Sequence, residues 1–212
     1  MTAAARPRAA IFISGRGSNM TALLEAMADP AYPAEAALVL SNNPGAAGLA
    51  HAAERGVATA VIDHRPFKGD RAAFEAELSR VLAAAGVDLI CLAGFMRILT
   101  GGFVDQWRDR MVNIHPSLLP AFKGLETHAR ALHAGVAFHG CTTHLVRAEM
   151  DDGPILGQAA LAVAPGDDPD TLAARVLRLE HRLYPAALKA WLEGELTLEG
   201  EAIRPAPLAL MG

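Results

Sequence analysis

The chain has 212 residues, of which 52% are apolar and 20% charged, and it carries a formal net charge of -4. That balance excludes a disordered acidic polypeptide and leaves no bulk basic surface for a nucleic-acid partner. The length suits one large core and is short for two full domains, so a single domain over 1–212 is expected, with its core at about 9–194 and a tail at about 195–212.

Met1 to Ala10 carries Arg6 and Arg8 and runs straight into an apolar strand, without the core and cleavage site of a signal peptide. No apolar run reaches the roughly 18 residues that cross a bilayer. Ala9 to Ile13 is a short apolar run that stops at Ser14-Gly15-Arg16-Gly17, and a helix is expected from Ser18 to about Ala28. Ala37 to Leu40 is a second strand, ended by Ser41-Asn42-Asn43-Pro44-Gly45. A helix then runs to about Arg55, with Gly56 as its cap, and Ala58 to Ile62 is a third strand. Phe74, Leu78 and Leu82 recur at helical spacing within Arg71 to Ala85, and Gly86 stops that helix.

Val87 to Leu92 is a central strand leading into Ala93-Gly94-Phe95-Met96-Arg97, the carboxyl-end position where doubly wound sheets bind ligands. Met111 to Ile114 is another strand, and Pro116 fixes its exit at His115. Gly140 to Val146 and Ile155 to Val163 read as strands on either side of the loop Asp151-Asp152-Gly153-Pro154. A last helix from about Asp170 to Leu192 has an apolar stripe of Leu172, Val176, Leu179, Leu183, Ala187 and Trp191. Beyond it come a hairpin around Gly200 and a Pro-rich end expected to be loose. Alternating strands and helices of this kind define an α/β chain with a mostly parallel sheet flanked by helices.

Three features carry chemistry. The loop Ser14-Gly15-Arg16-Gly17-Ser18-Asn19 lies between a strand and a helix, where backbone N–H groups and the helix N-terminus can hold a phosphate. It is not a dinucleotide fingerprint: Met20 stands where the third glycine should be, and the second strand lacks a terminal acid for a ribose. A tight turn capped by Ser18 or Asn19 is the alternative reading. Asn113 and His115, two apart on an extended segment, face the same side. There an amide can stabilise an oxyanion while an imidazole moves a proton. Asp151 can orient that imidazole if the fold brings the two together, although an Asp in a turn is ordinarily a local cap. His128, His139 and His144 could join His115 and Asp151 around a metal, but their spacings match no metal motif and no metal is expected. His144 lies in a strand pattern, as a core histidine or a site-lining one. Cys91 and Cys141 form no CxxC pair and read as reduced core thiols, in keeping with a soluble cytoplasmic protein.

Ile13-Ser14-Gly15-x-Gly17-Ser18-Asn19, Ala93 to Leu99, Asn113-Ile114-His115-Pro116-Ser117-Leu118-Leu119-Pro120, Asp151-x-Gly153-Pro154, Glu180-His181 and Tyr184-Pro185 together resemble the folate-dependent phosphoribosylglycinamide formyltransferases of purine biosynthesis. The resemblance spans about Ala9 to Gly194. It implies a three-layer Rossmann-like formyltransferase fold and transfer of formyl from 10-formyltetrahydrofolate to the amine of glycinamide ribonucleotide. These two small molecules are the expected partners, with no metal, nucleic acid or membrane, and a monomer or homodimer is expected.

By motif, the resemblance implies that Asn113 polarises the formyl oxygen, that His115 donates a proton and that Asp151 holds His115. Gly17, Ser18 and Asn19 would bind the phosphate, and Glu180 the ribose hydroxyls. Met96, Arg97, Ile98 and Leu99, with Arg147, Ala148, Glu149, Met150 and Asp151, would line the pterin pocket beside Asn113. Arg71 would lie near the glutamate-bearing end, with an exposed helix-start arginine as the alternative. Arg16 stands where Asn is common, and Glu126 replaces a histidine common in relatives, so Glu126 receives no role and His128 remains a weak candidate. The alternative readings are a formyltetrahydrofolate hydrolase or another 10-formyltetrahydrofolate-dependent formyltransferase, with water or methionyl-tRNA as the acceptor, whose known members usually carry an additional domain. A further alternative is a module that only senses a phosphorylated ligand through the loop from Ser14 to Asn19, which would leave Asn113, His115 and Asp151 without a role.

Overall fold

The computed structural model describes residues 5–212, so the first four residues of the N-terminal segment lie outside the described residues. The chain divides into two compact units, Met1–Met111 and Val112–Gly212.

In the first unit, β1 (Arg8–Ile13), β2 (Glu35–Ser41), β3 (Thr59–Val61) and β4 (Leu89–Leu92) stand in the order β4-β1-β2-β3 with every pairing parallel. Ala9 through Ile13 are fully buried, as a central parallel strand covered on both faces requires. Helix α1 (Ser18–Met27) packs on β1 and β2 through Met20, Leu23, Leu24 and Met27. Helix α2 (Gly48–Glu54) and a 3-10 turn at Arg65–Phe67 follow the next two strands. Helix α3 (Arg71–Ala84) opens on Asp70, whose carboxylate accepts the Ala73 N–H, and buries Phe74, Leu78 and Leu82 as the spacing predicts. Gly56 and Gly86 have positive φ, matching their expected stop roles. Helix α4 (Gly101–Gln106) is only six residues long, too short to show a periodicity in the sequence.

β5 (Met111–His115) supplies the second unit from Val112 onward, followed by α5 (Thr127–Ala134), β6 (Phe138–Leu145) and β7 (Ile155–Ala162). β5 to β6 and β6 to β7 are antiparallel. Helix α6 (Pro169–Leu192) starts in a reciprocal capping box: Asp168 accepts the Thr171 N–H, and Thr171 accepts the Asp168 N–H. Its stripe from Leu172 to Ala187 is buried against β6 and β7. Tyr184 donates to the Val112 carbonyl at 2.9 Å and so pins β5 from the helix side. β8 (Thr197–Glu199) and β9 (Ala202–Arg204) form the expected hairpin. The end of the chain is not loose: β10 (Leu208–Met211) pairs in parallel with β7 from Gly157 to Ala160. Prolines 205 and 207 precede that strand without entering it, so every N–H its ladder needs is present. Among the described residues no helix is long and apolar enough to cross a membrane. Cys91 and Cys141 are both buried and neither is in a disulfide.

Candidate active site

In the first unit the glycine loop turns from β1 into α1. Gly17 is the N-cap at φ 73°, and no side chain caps this helix, so the alternative of a turn capped by Ser18 or Asn19 does not hold. Gly17 is required twice over. Its left-handed φ suits glycine, and an added Cβ would stand 3.1 Å from Met20 Cε and 3.2 Å from Gly48 Cα. Gly48 is equally constrained, because its Cβ would meet Ile13 Cδ1 at 2.6 Å. Its N–H donates to the Gly15 carbonyl at 3.1 Å, which ties α2 to the loop. A cavity of about 300 Å³ is lined by Ser14–Asn19 with Ala93, Gly94 and Met96. An uncapped helix N-terminus beside a cavity lined by the glycine loop can take an anion through its N–H groups. Arg16 is exposed at that rim.

Met96, Arg97 and Ile98 follow as an exposed segment, with Met96 and Ile98 each 65% exposed, an unusual outlay of apolar surface on a loop. Its far end is held by Glu75, a buried acid that sequence reading missed among the apolar positions of α3. Glu75 accepts the Thr100 N–H at 2.6 Å and the Thr100 hydroxyl at 2.5 Å. Arg71 is exposed one turn earlier on the same helix face.

In the second unit the β5–β6 register sets the polar cluster. Asn113 pairs with His144 and His115 with Thr142, so Asn113, His115 and His144 project from one face of the two strands. Asn113 Nδ2 lies 3.1 Å from His144 Nε2, while His144 Nδ1 lies 2.9 Å from the Leu145 carbonyl. A carbonyl only accepts, so Nδ1 carries the hydrogen and Nε2 takes one hydrogen of the Asn113 amide, leaving the second for another acceptor. His144 is therefore both a buried strand histidine and a member of the cluster. Burial pushes its pKa down, so it is neutral.

Asp151 joins them from its loop. Its Oδ2 lies 3.4 Å from His115 Nδ1, its Oδ1 lies 3.9 Å from His144 Nε2, and both carboxylate and imidazoles are largely shielded from solvent. Asp151 has φ 53°, in the left-handed region that costs about 1–3 kcal/mol for a non-glycine residue. Its Oδ2 also accepts the Gly124 N–H at 2.9 Å. His115 Nε2 lies 3.0 Å from the Phe122 carbonyl, so each ring nitrogen of His115 faces an oxygen and the imidazolium form satisfies both.

The Ser-Leu-Leu-Pro turn is held from behind. Thr142 donates to the Ser117 carbonyl at 2.7 Å and accepts the Leu119 N–H at 3.0 Å; Gln158 Nε2 donates to the Leu119 carbonyl at 2.8 Å and to Thr142 Oγ1 at 3.1 Å. Arg130 of α5 donates to the Lys123 and Leu125 carbonyls and fixes the loop that carries Phe122 and Gly124. These supports escaped the sequence reading, because a threonine and a glutamine on strands give no local signal.

Ala148, Glu149 and Met150 are exposed, and the Arg147 guanidinium pairs with Glu201 at 2.7 Å, so Arg147 offers the loop its backbone rather than its charge. Glu180 is 7% exposed on α6, near Cys141, whose thiol is pushed up by burial first and by Glu180 second. Glu126 is exposed at the left-handed N-cap of α5 and makes no side-chain cap. His128 Nδ1 lies 3.2 Å from His139 Nε2 behind the cluster, and among the described residues no three metal-binding side chains converge.

Burial pushes His139 down to about 4, with His128 as the next cause, and burial also lowers His128. Below pH 6.5 the unfolded chain binds protons that the folded one refuses, so stability rises with pH across roughly 4 to 6.5 and is fully present above that window. The melting temperature is expected to fall steadily from pH 6.5 to 4.5, and His139→Gln is expected to flatten that slope. An unchanged slope in thermal melts of the variant would contradict it.

This polar cluster, on an α/β scaffold, has the makings of an acyl-transfer site. The formyl transferase family profile matches residues 7–188, and the chain belongs to that family. It is 38% identical over 192 residues to the phosphoribosylglycinamide formyltransferase of Escherichia coli (strain K12), covering 91% of this chain and 90% of that one. It is 47% identical over 198 residues to the trifunctional purine biosynthetic protein adenosine-3 of Drosophila melanogaster, covering 92% of this chain and 15% of that protein. The chain thus spans under a fifth of the trifunctional relatives it matches. The crystal structure of glycinamide ribonucleotide transformylase 1 from Symbiobacterium toebii matches it with a TM-score of 0.90 at 43% identity, over 95% of this chain and 94% of that one. The expected formyltransferase fold is therefore the fold of this chain.

Proposed function

We propose that the chain transfers the formyl group of 10-formyltetrahydrofolate to the amine of glycinamide ribonucleotide, giving N-formylglycinamide ribonucleotide and tetrahydrofolate in de novo purine biosynthesis. The observation that carries this reading is the convergence of Asn113, His115 and Asp151, two strand residues and one loop residue, on a single shielded cluster. The substrate amine attacks the formyl carbon, a C–N bond forms, and the carbonyl oxygen takes the negative charge. The free hydrogen of the Asn113 amide meets that oxygen, and His115 as imidazolium supplies a proton to it. Asp151 stabilises the imidazolium and keeps the ring in place. On collapse the oxygen returns its proton to His115 as the carbonyl re-forms, the bond from carbon to N10 of the folate breaks, and the proton lost by the attacking amine ends on N10, so no other reactant is consumed.

In this reading the phosphate binds at Gly17, Ser18 and Asn19 through backbone donors, and Glu180 accepts from the ribose hydroxyls. Met96 to Leu99 and Arg147 to Asp151 take the pterin through backbone groups and exposed apolar side chains, with Arg71 serving the glutamate end. One family profile running through both compact units supports a single catalytic domain over 1–212. Two buried cysteines in the thiol form support a reducing, cytoplasmic setting. The same reading takes the chain as a monomer or homodimer.

Incubation with glycinamide ribonucleotide and 10-formyltetrahydrofolate is expected to yield one formylated nucleotide per tetrahydrofolate formed, read by mass spectrometry and folate absorbance. Formate released with the nucleotide unchanged would make water the acceptor and overturn the assignment.

A further inference from the structure

Three segments of the first unit meet at the hydroxyl of Ser14. The Met96 N–H donates to Ser14 Oγ at 2.7 Å, and Ser14 Oγ donates to Asn42 Oδ1 at 2.5 Å. Asn42, 3% exposed, has its Nδ2 3.1 Å from Nδ1 of the half-buried His64. A backbone amide can only donate, so the direction of the whole chain follows from Met96. Ser14 accepts there, its one hydrogen goes to Asn42, Asn42 must present its carbonyl oxygen, and its Nδ2 then donates to the His64 Nδ1 lone pair. The same ring nitrogen lies 3.1 Å from the Asn42 backbone carbonyl, which it would serve only in the other tautomer.

The position of this chain matters as much as its direction. Ser14, Asn42 and His64 follow the carboxyl ends of β1, β2 and β3, and Met96 lies in the loop after β4. Ser14 and Met96 both line the cavity: Ser14 at the root of the glycine loop, Met96 in the loop that follows β4. The loop after β4 is anchored on either side of Met96, by the Phe95 ring edge-on to Phe12 at 5.1 Å and by Thr100 on Glu75. The Met96 side chain is mostly in solvent, so its own packing does not set its backbone.

We propose that Ser14, Asn42 and His64 are positioning residues: their relay holds the Met96 amide, and with it the Met96–Leu99 wall, in register with the glycine loop, so that occupancy of one wall favours occupancy of the other. The ligands named for the two walls rest on the proposed function; the relay itself does not.

The test uses the ligand-free protein first. In Ser14→Ala, amide exchange at Met96 is expected to rise about tenfold while β1 and β2 stay protected; Asn42→Ala should act in the same direction, and Ser14→Thr, which keeps the hydroxyl, should restore the native rate. In turnover, Ser14→Ala is expected to raise KM for 10-formyltetrahydrofolate severalfold with kcat little changed. It should also abolish the gain in glycinamide ribonucleotide affinity produced by a bound folate analogue. Unchanged Met96 exchange, a rise spread over the whole first unit, or a KM defect that threonine fails to rescue would overturn the relay. A wild-type protein that turns over neither substrate would overturn the proposed function instead, and the exchange result would still decide the relay.

Discussion

His115→Ala is expected to lower kcat about a thousandfold, within the range that a positioned general acid supplies, while the affinities for both substrates change little. The imidazole is 6% exposed and held at both nitrogens, by the Phe122 carbonyl at 3.0 Å and by Asp151 at 3.4 Å. That placement serves a group whose charge must appear at one point and be matched on arrival. Its work lies in the transition state, so binding of the ground-state reactants is largely spared. Alanine removes the proton donor but leaves Asp151 with the Gly124 N–H, so the loop keeps a native contact and the fold should persist. Single-turnover rates beside separately measured dissociation constants check this. A retained rate would remove His115 from the chemistry.

Asn113→Ala is expected to cost about a hundred- to a thousandfold in kcat, the usual loss when one oxyanion donor is deleted. It should carry a second signature that His115→Ala lacks. Asn113 supplies the hydrogen that satisfies Nε2 of His144, a ring only 2% exposed. Truncation leaves that nitrogen unsatisfied, at a cost of about 1–3 kcal/mol, so the variant should melt several degrees lower. A variant that keeps its turnover would show that Asn113 does not meet the oxyanion. One that loses turnover without loss of stability would show that the pairing with His144 carries little weight.

Much of the fold was legible because its signals are local. Gly17, Gly56 and Gly86 sit where backbone of positive φ ends or begins a helix, and Pro116 marks the exit of β5. The stripe on α6 gave its buried face, and alternation alone placed Asn113 and His115 on the same side of one strand. The short helices α4 and α5 stayed hidden, since six and eight residues hold too few turns for a period to show. The C-terminal strand was misjudged for another reason: its partner β7 lies far back in the chain, and two prolines beside it imitate a loose end.

The sequence by itself determined the chemical inventory, namely an amide and an imidazole on one strand, a carboxylate in a loop, and a glycine loop between a strand and a helix. Tertiary structure decided which oxygens His115 meets, which hydrogen of Asn113 is left over, and that Ser14 reaches the Met96 amide. Those outcomes depend on strand register and loop dihedrals that bring distant residues within about 3 Å of each other, a separation set by hydrogen-bond geometry, and no local pattern encodes them.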